Sequence, residues 1–237
     1  MSAGMHAADC PAASLRTARV QPLIRITLAL MSIFVVRHAE TEQNASRVIQ
    51  VPTARLSAAG RAQAQRLAER VAAAGIAGIL TSDLARAAET ANCISARTSI
   101  KVELEPTLRE RDFGDLRGIP YTELKVDPFA SEYVPPNGES WPIFRERVAV
   151  AWEKVKKAAA ATEGNLLVVT HGLVCRVLIE QHWALMSGEL APMQWANTAF
   201  TEIEGAPPWI VRTLNCVAHL ANEQSQVVPA DAPNSAI

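Results

Sequence analysis

Along the chain, short apolar runs alternate with longer segments in which apolar residues recur at helical spacing, the pattern of a layered α/β domain. Residues 33–36 read as a buried strand. Residues 57–73 read as a helix with Leu67 and Val71 on one face, Ser57 as its cap and Gly75 closing it. A second strand over 77–80 runs into Thr81, Ser82 and Asp83, where a cap residue opens a helix over 84–96, and 100–104 form a third strand. Pro106, Pro120, Pro128, Pro135 and Pro136, with Gly114, Gly118 and Gly138, make 105–140 irregular, and such a stretch lies over something rather than in a core. Beyond it come a long helix over 141–161, a strand over 166–170 and helical character over 173–186. A hairpin of 198–204 and 209–214 across Pro207 and Pro208 closes the sheet and makes it mixed.

Composition narrows the class without choosing a chemistry. The chain has 237 residues, 49% hydrophobic and 20% charged, enough for one full core. A formal net charge of -1 gives no footprint for nucleic acid or an anionic membrane, so recognition of any anion must be local. Cys10, Cys93, Cys175 and Cys216 lie far apart with no histidine at ligand spacing, which argues against a zinc site and for buried thiols in a reducing compartment. The apolar run over 26–36 behind Arg16, Arg19 and Arg25 has the outline of a secretory signal, but no small-residue cleavage site follows and cleavage would remove the first strand. Residues 1–30 are therefore read as an extension, 31–221 as the domain and 222–237 as a loose tail, with a cytoplasmic location by default.

Three strand ends carry the chemistry. Arg37-His38 follows the first strand, Ser82 to Arg86 the second, and His171-Gly172 the strand over 166–170. Ligands of open α/β sheets sit beyond the carboxyl ends of the strands, so all three face one crevice. Arg37 and Arg86 supply guanidinium forks that match phosphate oxygens, and the helix start near Leu84 adds backbone N–H groups. Each piece alone is common; their agreement marks a phosphate or carboxylate site.

These residues also sit in a longer ordered set. Arg37-His38-Ala39-Glu40-Thr41 with Asn44 resembles the R-H-G-E-T-x-x-N signature of histidine phosphatases and cofactor-dependent phosphoglycerate mutases. Leu56-Ser57 with Gly60, Gln63 and Ala64 is similar to that family's next motif, as is Thr81 to Leu84 with Arg86, Ala87, Thr90 and Ala91. Leu108-Arg109-Glu110 with Gly114 and Gly118, then Gly138-Glu139-Ser140, Thr170-His171-Gly172 and Asn197-Thr198, follow in the family's order. Two positions depart: Ala39 stands where Gly is usual, and Arg55-Leu56-Ser57 where Pro-Leu-Thr is commoner.

The resemblance implies a three-layer α/β/α sandwich with a mostly parallel central sheet, phosphoglycerate mutase-like. It implies His38 as nucleophile, Arg37, Arg86 and a protonated His171 as the phosphoryl clamp, and Glu110 as general acid and then base, with no metal and no cofactor. Thr41, Asn44 and Gly172 are further contacts to the phosphate or to His38. Glu110 has a plainer reading as an exposed glutamate among Arg109, Arg111 and Asp112, and His182 and His219 match nothing and are read as structural. Phe113, Tyr121, Phe129 and Tyr133 are expected to form the specificity surface, and the tryptophans the core.

The expected activity is hydrolysis of a small phosphorylated metabolite, with no nucleic-acid or membrane partner and a homodimer left open. The short stretch over 118–140 favours a phosphatase over a mutase. Arg111 and Lys125 keep the mutase alternative alive by offering a carboxylate contact, and a non-catalytic phosphate-binding regulatory protein is the third reading.

Overall fold

The computed structural model describes residues 31–186, 191–192 and 194–221. The extension expected over 1–30 and the tail over 222–237 lie outside the described residues. Six strands form one sheet: β1 (Ser32–Arg37), β2 (Ile76–Thr81), β3 (Val102–Leu104), β4 (Asn165–Thr170), β5 (Phe200–Glu204) and β6 (Val211–Cys216). Their order is β3-β2-β4-β1-β5-β6. β1, β2, β3 and β4 run parallel, and β5 and β6 join antiparallel at one edge, so the expected mixed, mostly parallel sheet is present.

Alternation along the central strands builds two cores, because successive side chains of a strand point to opposite faces. Ile33, Val35, Leu166 and Val168 face α4 (Trp141–Ala160) and α5 (Gly172–Gln181). Phe34, Val36, Leu167 and Val169 face α2 (Ala58–Ala72) and α3 (Ala85–Thr98). Each fully buried Val, Leu or Ile contributes about 1.5–3 kcal/mol, so the strands that carry the site are clamped from both sides. Trp141, Trp152, Trp183 and Trp195 are buried and Trp209 packs edge-on against Trp152, as core residues.

The structure corrects several expectations. α3 begins at Ala85 with Leu84 at the cap position and no side-chain cap; Ser82 Oγ instead accepts from Leu84 N–H, and Asp83 pairs with Arg109. β3 starts two residues late, because Ser99 takes a left-handed turn (φ 61°) out of α3. α5 stops at Gln181 rather than near 186: Trp183 leaves the helix to pack edge-on against Trp152 and Trp195, and Ala184 bridges to Ile210. Of the described cysteines only Cys175 is buried; Cys93 and Cys216 are partly exposed. Among the described residues no helix is long and apolar enough to cross a membrane.

Residues 105–140 are irregular, with three short 3-10 helices at Pro106–Leu108, Gly114–Leu116 and Tyr121–Glu123. Gly114 (φ 52°) lets the loop fold back on itself, since a Cβ there would sit 2.0 Å from the Pro136 carbonyl oxygen.

Candidate active site

The inner strands end level with one another, Arg37 opposite Thr170 and Thr81 opposite Val169. The ladder runs one residue further: His38 N–H donates to Thr170 O at 2.9 Å and Ser82 N–H to Val169 O at 3.0 Å. His38, His171 and Ser82 therefore leave the sheet side by side. Arg37, His38, Arg86 and His171 are each at most 4% exposed. The two imidazole centroids lie 5.1 Å apart, and Arg86, on the first turn of α3, brings its Nε to 3.2 Å from His38 Nε2. Arg37 donates from one terminal nitrogen to the Trp195 carbonyl, while its Nε has no partner among the described residues.

Hydrogen-bond roles assign the tautomers. A guanidinium Nε–H only donates, so His38 Nε2 must accept from Arg86 and carry no proton. The proton sits on Nδ1, 2.7 Å from the Ala39 carbonyl oxygen. The lone pair of Nε2 thus faces the guanidinium groups. His171 Nε2 lies 2.8 Å from Ser82 Oγ, and its Nδ1 is a buried polar atom without a partner among the described residues. Ser82 Oγ accepts from Leu84 N–H and keeps its own proton to give to His171 Nε2, the tautomer that presents Nδ1 as a donor. A buried donor left unmade costs about 1–3 kcal/mol; Arg37 Nε and His171 Nδ1 together mark a place that oxygen acceptors complete.

Burial pushes both imidazoles well below the usual histidine value, and the Arg86 and Arg37 charges push the same way. Burial and the two guanidiniums thus disfavour a third cation at His171, against the expectation of a protonated imidazole, and a bound phosphoryl dianion would act in the opposite direction. The same burial lowers Arg37, and Arg86 to about 10.

The motifs next along the chain hold the nucleophile's loop. Ser57 caps α2 by accepting from Gly60 N–H and gives its own proton to Glu40 at 2.7 Å. Gln63 accepts from Glu40 N–H, and Thr90 from Ala39 N–H. Glu40 O lies so close to α2 that a Cβ on Gly60 would sit 1.9 Å from it. Thr41 caps α1 (Glu42–Ala45) and donates to Gln50. Asn197 reaches both the His38 carbonyl and Asn44 Oδ1. Thr41 and Asn44 thus brace the loop from behind.

Glu110 is buried, not an exposed loop residue. Its carboxyl accepts from Arg111 N–H at 2.9 Å and from Leu173 N–H at 3.2 Å, next to Gly172, which opens α5. Burial raises its pKa against those two bonds and against Arg86 and Arg37. It lines a cleft of about 720 Å³ whose wall includes Arg86, Arg111, Phe113 and Gln50. Arg147 fixes the Glu110 loop from α4 by donating to the carbonyls of Thr107, Arg109 and Glu110.

Strand ends placed Arg37, His38, Arg86 and His171 at one crevice and the resemblance added Glu110; the structure brings the first four together with Glu110 beside Arg86. Sequence reasoning missed Gln50, 7% exposed, whose Nε2 has no partner among the described residues; it lies on a loop with no periodic signal. It also missed Ser82 as the neighbour of His171. Two expectations about α3 and the cap are corrected. The Leu84 and Ala85 N–H groups are taken by Ser82 Oγ and Pro52 O, so the start of α3 offers less to an anion than expected. Arg111 lines the cleft with three of its five N–H groups already engaged: Nε and both terminal nitrogens donate to the carbonyls of Glu139, Pro128 and Tyr133. Of the cap aromatics Phe113 lines the cleft, whereas Tyr121 and Phe129 line a separate cavity of about 390 Å³ with Arg47. Lys125 is not among the residues lining the cleft. His182 stacks near Trp152, and His219 lies 3.0 Å from Thr198 Oγ1, in structural places.

The family model described as Histidine phosphatase superfamily (branch 1) matches residues 33–215. A probable phosphoglycerate mutase GpmB of Yersinia enterocolitica is 29% identical over 207 residues, 81% of this chain and 95% of that protein. Phosphoglycerate mutase-like protein 4 of Arabidopsis thaliana is 39% identical over 162 residues, 63% of this chain and 70% of that protein. Among solved structures, a putative alpha-ribazole-5'-P phosphatase from Escherichia coli shares the fold with a TM-score of 0.69 at 24% identity, covering 78% of this chain and 96% of the other.

Proposed function

The chain belongs to the histidine phosphatase superfamily, and on that premise we propose that it is a metal-independent phosphomonoesterase working through a phosphohistidine on His38. What carries the reading is the unprotonated His38 Nε2 among Arg37, Arg86 and His171, buried behind Arg86, which lines the cleft together with Glu110. The Nε2 lone pair attacks phosphorus in line. The P–O bond to the leaving group breaks, and Glu110, its carboxyl kept protonated more readily by burial, gives that oxygen its proton. Arg37, Arg86 and the Nδ1–H of His171 hold the non-bridging oxygens as charge spreads over them, so no metal is needed for that work. Water then attacks phosphorus, Glu110 takes its proton, and the P–N bond breaks to restore neutral His38.

Release of phosphate from an aryl phosphate in the presence of a chelator tests this. His38→Ala is expected to lower turnover by at least about 10³-fold. Turnover that needs added Mg²⁺ would refute the mechanism.

A second reading, phosphotransfer between positions of a phosphoglycerate, draws on the mutase names of the curated relatives. It needs a cation for the substrate carboxylate, and Arg111, the candidate, already gives three of its five N–H groups to carbonyls. Exchange of phosphoglycerates after priming with a bisphosphate would favour it. A purely phosphate-binding role is discarded by one clear turnover of any phosphoester.

A further inference from the structure

The two histidines of the phosphoryl floor have different groups behind them. Behind His38 stands a carbonyl: Nδ1 lies 2.7 Å from Ala39 O, an atom that only accepts, so the neutral ring keeps its proton there and turns the Nε2 lone pair forward. Behind His171 stands a hydroxyl, with Ser82 Oγ 2.8 Å from Nε2. A hydroxyl donates as well as accepts. Giving the serine proton to Nε2 leaves one group unmatched among the described residues, the Nδ1–H. The reverse, Nε2–H to Oγ, would leave two, the serine proton and the Nδ1 lone pair.

We propose that Ser82 is a positioning residue whose hydroxyl fixes the tautomer of His171, so that one of two buried imidazoles meets the phosphoryl group as nucleophile and the other as hydrogen-bond donor. The proposal rests on the phosphomonoesterase reading and adds a residue to its machinery. With a carbonyl in the place of the hydroxyl, a neutral His171 would turn a lone pair toward the phosphoryl oxygens and repel them. Ser82 and His171 are both 0% exposed, so bulk water does not stand in for the hydroxyl. The same Oγ accepts from Leu84 N–H at 3.3 Å, two residues before Arg86, and thus ties the His171 ring to the turn that brings in the second guanidinium. If the bound dianion draws a proton onto the ring, the hydroxyl rotates to accept from Nε2–H, and Nδ1 stays a donor in either charge state.

Two measurements on the full chain test this. Long-range ¹H–¹⁵N correlation spectra of the ligand-free protein, above the ordinary histidine value of 6.5, read the tautomer, with the His171 signals identified by their loss in His171→Ala. Nε2 is expected at the unprotonated position and Nδ1 at the protonated one; the opposite assignment overturns the proposal. In steady-state kinetics on an aryl phosphate with chelator present, Ser82→Ala is expected to lower kcat by about 10–100-fold. Introduced into His171→Ala, it is expected to cost about twofold or less, because the serine acts through the ring. An equal loss in both backgrounds assigns Ser82 to the fold alone and overturns the proposal. A Ser82→Ala protein as fast as wild type also overturns it, while the phosphatase reading stands; no turnover by the wild type removes both.

Discussion

His38 and Glu110 share one buried environment, and it moves their protonation in opposite directions. Burial disfavours the charged form of each, lowering His38 below its ordinary value of 6.5 and raising Glu110 above 4.5. Attack needs neutral His38, which is present at any pH above its lowered value. Proton donation needs the acid form of Glu110, which is lost as pH rises through its raised value. The profile of kcat/KM on an alkyl phosphomonoester is therefore expected to be bell-shaped, with its acid limb below 6.5 and its alkaline limb set by Glu110 above 4.5. A profile that climbs to an alkaline plateau would be incompatible with these roles. Glu110→Gln is expected to lower steady-state kcat by about 10²–10⁴. On an aryl phosphate, whose leaving group needs little protonation, it should still give a burst, because hydrolysis of the P–N bond slows more than its formation. Wild-type kcat without a burst speaks against Glu110. The residue types were legible in the sequence, whereas the charge on His171 was not, since it depends on how deeply two arginines are buried beside it.

At the level of elements, α2 serves as a brace for the His38 loop. Glycine to alanine inside a helix ordinarily stabilises by about 1 kcal/mol; at Gly60 the sign reverses, because the new Cβ would meet Glu40 O at 1.9 Å. Gly60→Ala is expected to lower both Tm and kcat. Ser57→Ala removes the cap and the bond to Glu40, about 1 kcal/mol, and is expected to lower Tm by about 2–4 °C. Thermal unfolding with parallel kinetics checks both, and a Gly60→Ala protein matching wild type in both would dismiss the brace. The strands and helices were readable from periodicity because their buried faces are continuous, as in Val35, Val168 and Trp152. Their ends were less so. α3 starts without a side-chain cap and α5 stops where a tryptophan turns into the core, and both depend on tertiary partners that no local pattern records.

Across the whole molecule, a sheet with parallel inner strands brings residues 37, 86, 110 and 171 to one edge, and the irregular loop over 105–140 walls the cleft above them. The floor was legible because each of its residues follows a strand end or sits in an ordered motif. The wall was not, because the pairing of Arg109 with Asp83 or Arg147 with Glu139 joins stretches with no common period. The central claim is that His38 Nε2 takes the phosphoryl group. Rapid quench of the turning-over protein into alkaline denaturant, where a phosphohistidine survives, followed by peptide mass spectrometry, measures this directly. The account predicts one phosphoryl group on the peptide containing His38, absent in His38→Ala. Sustained hydrolysis with no phosphoryl group on that peptide, or a His38→Ala protein that turns over like wild type, would contradict it.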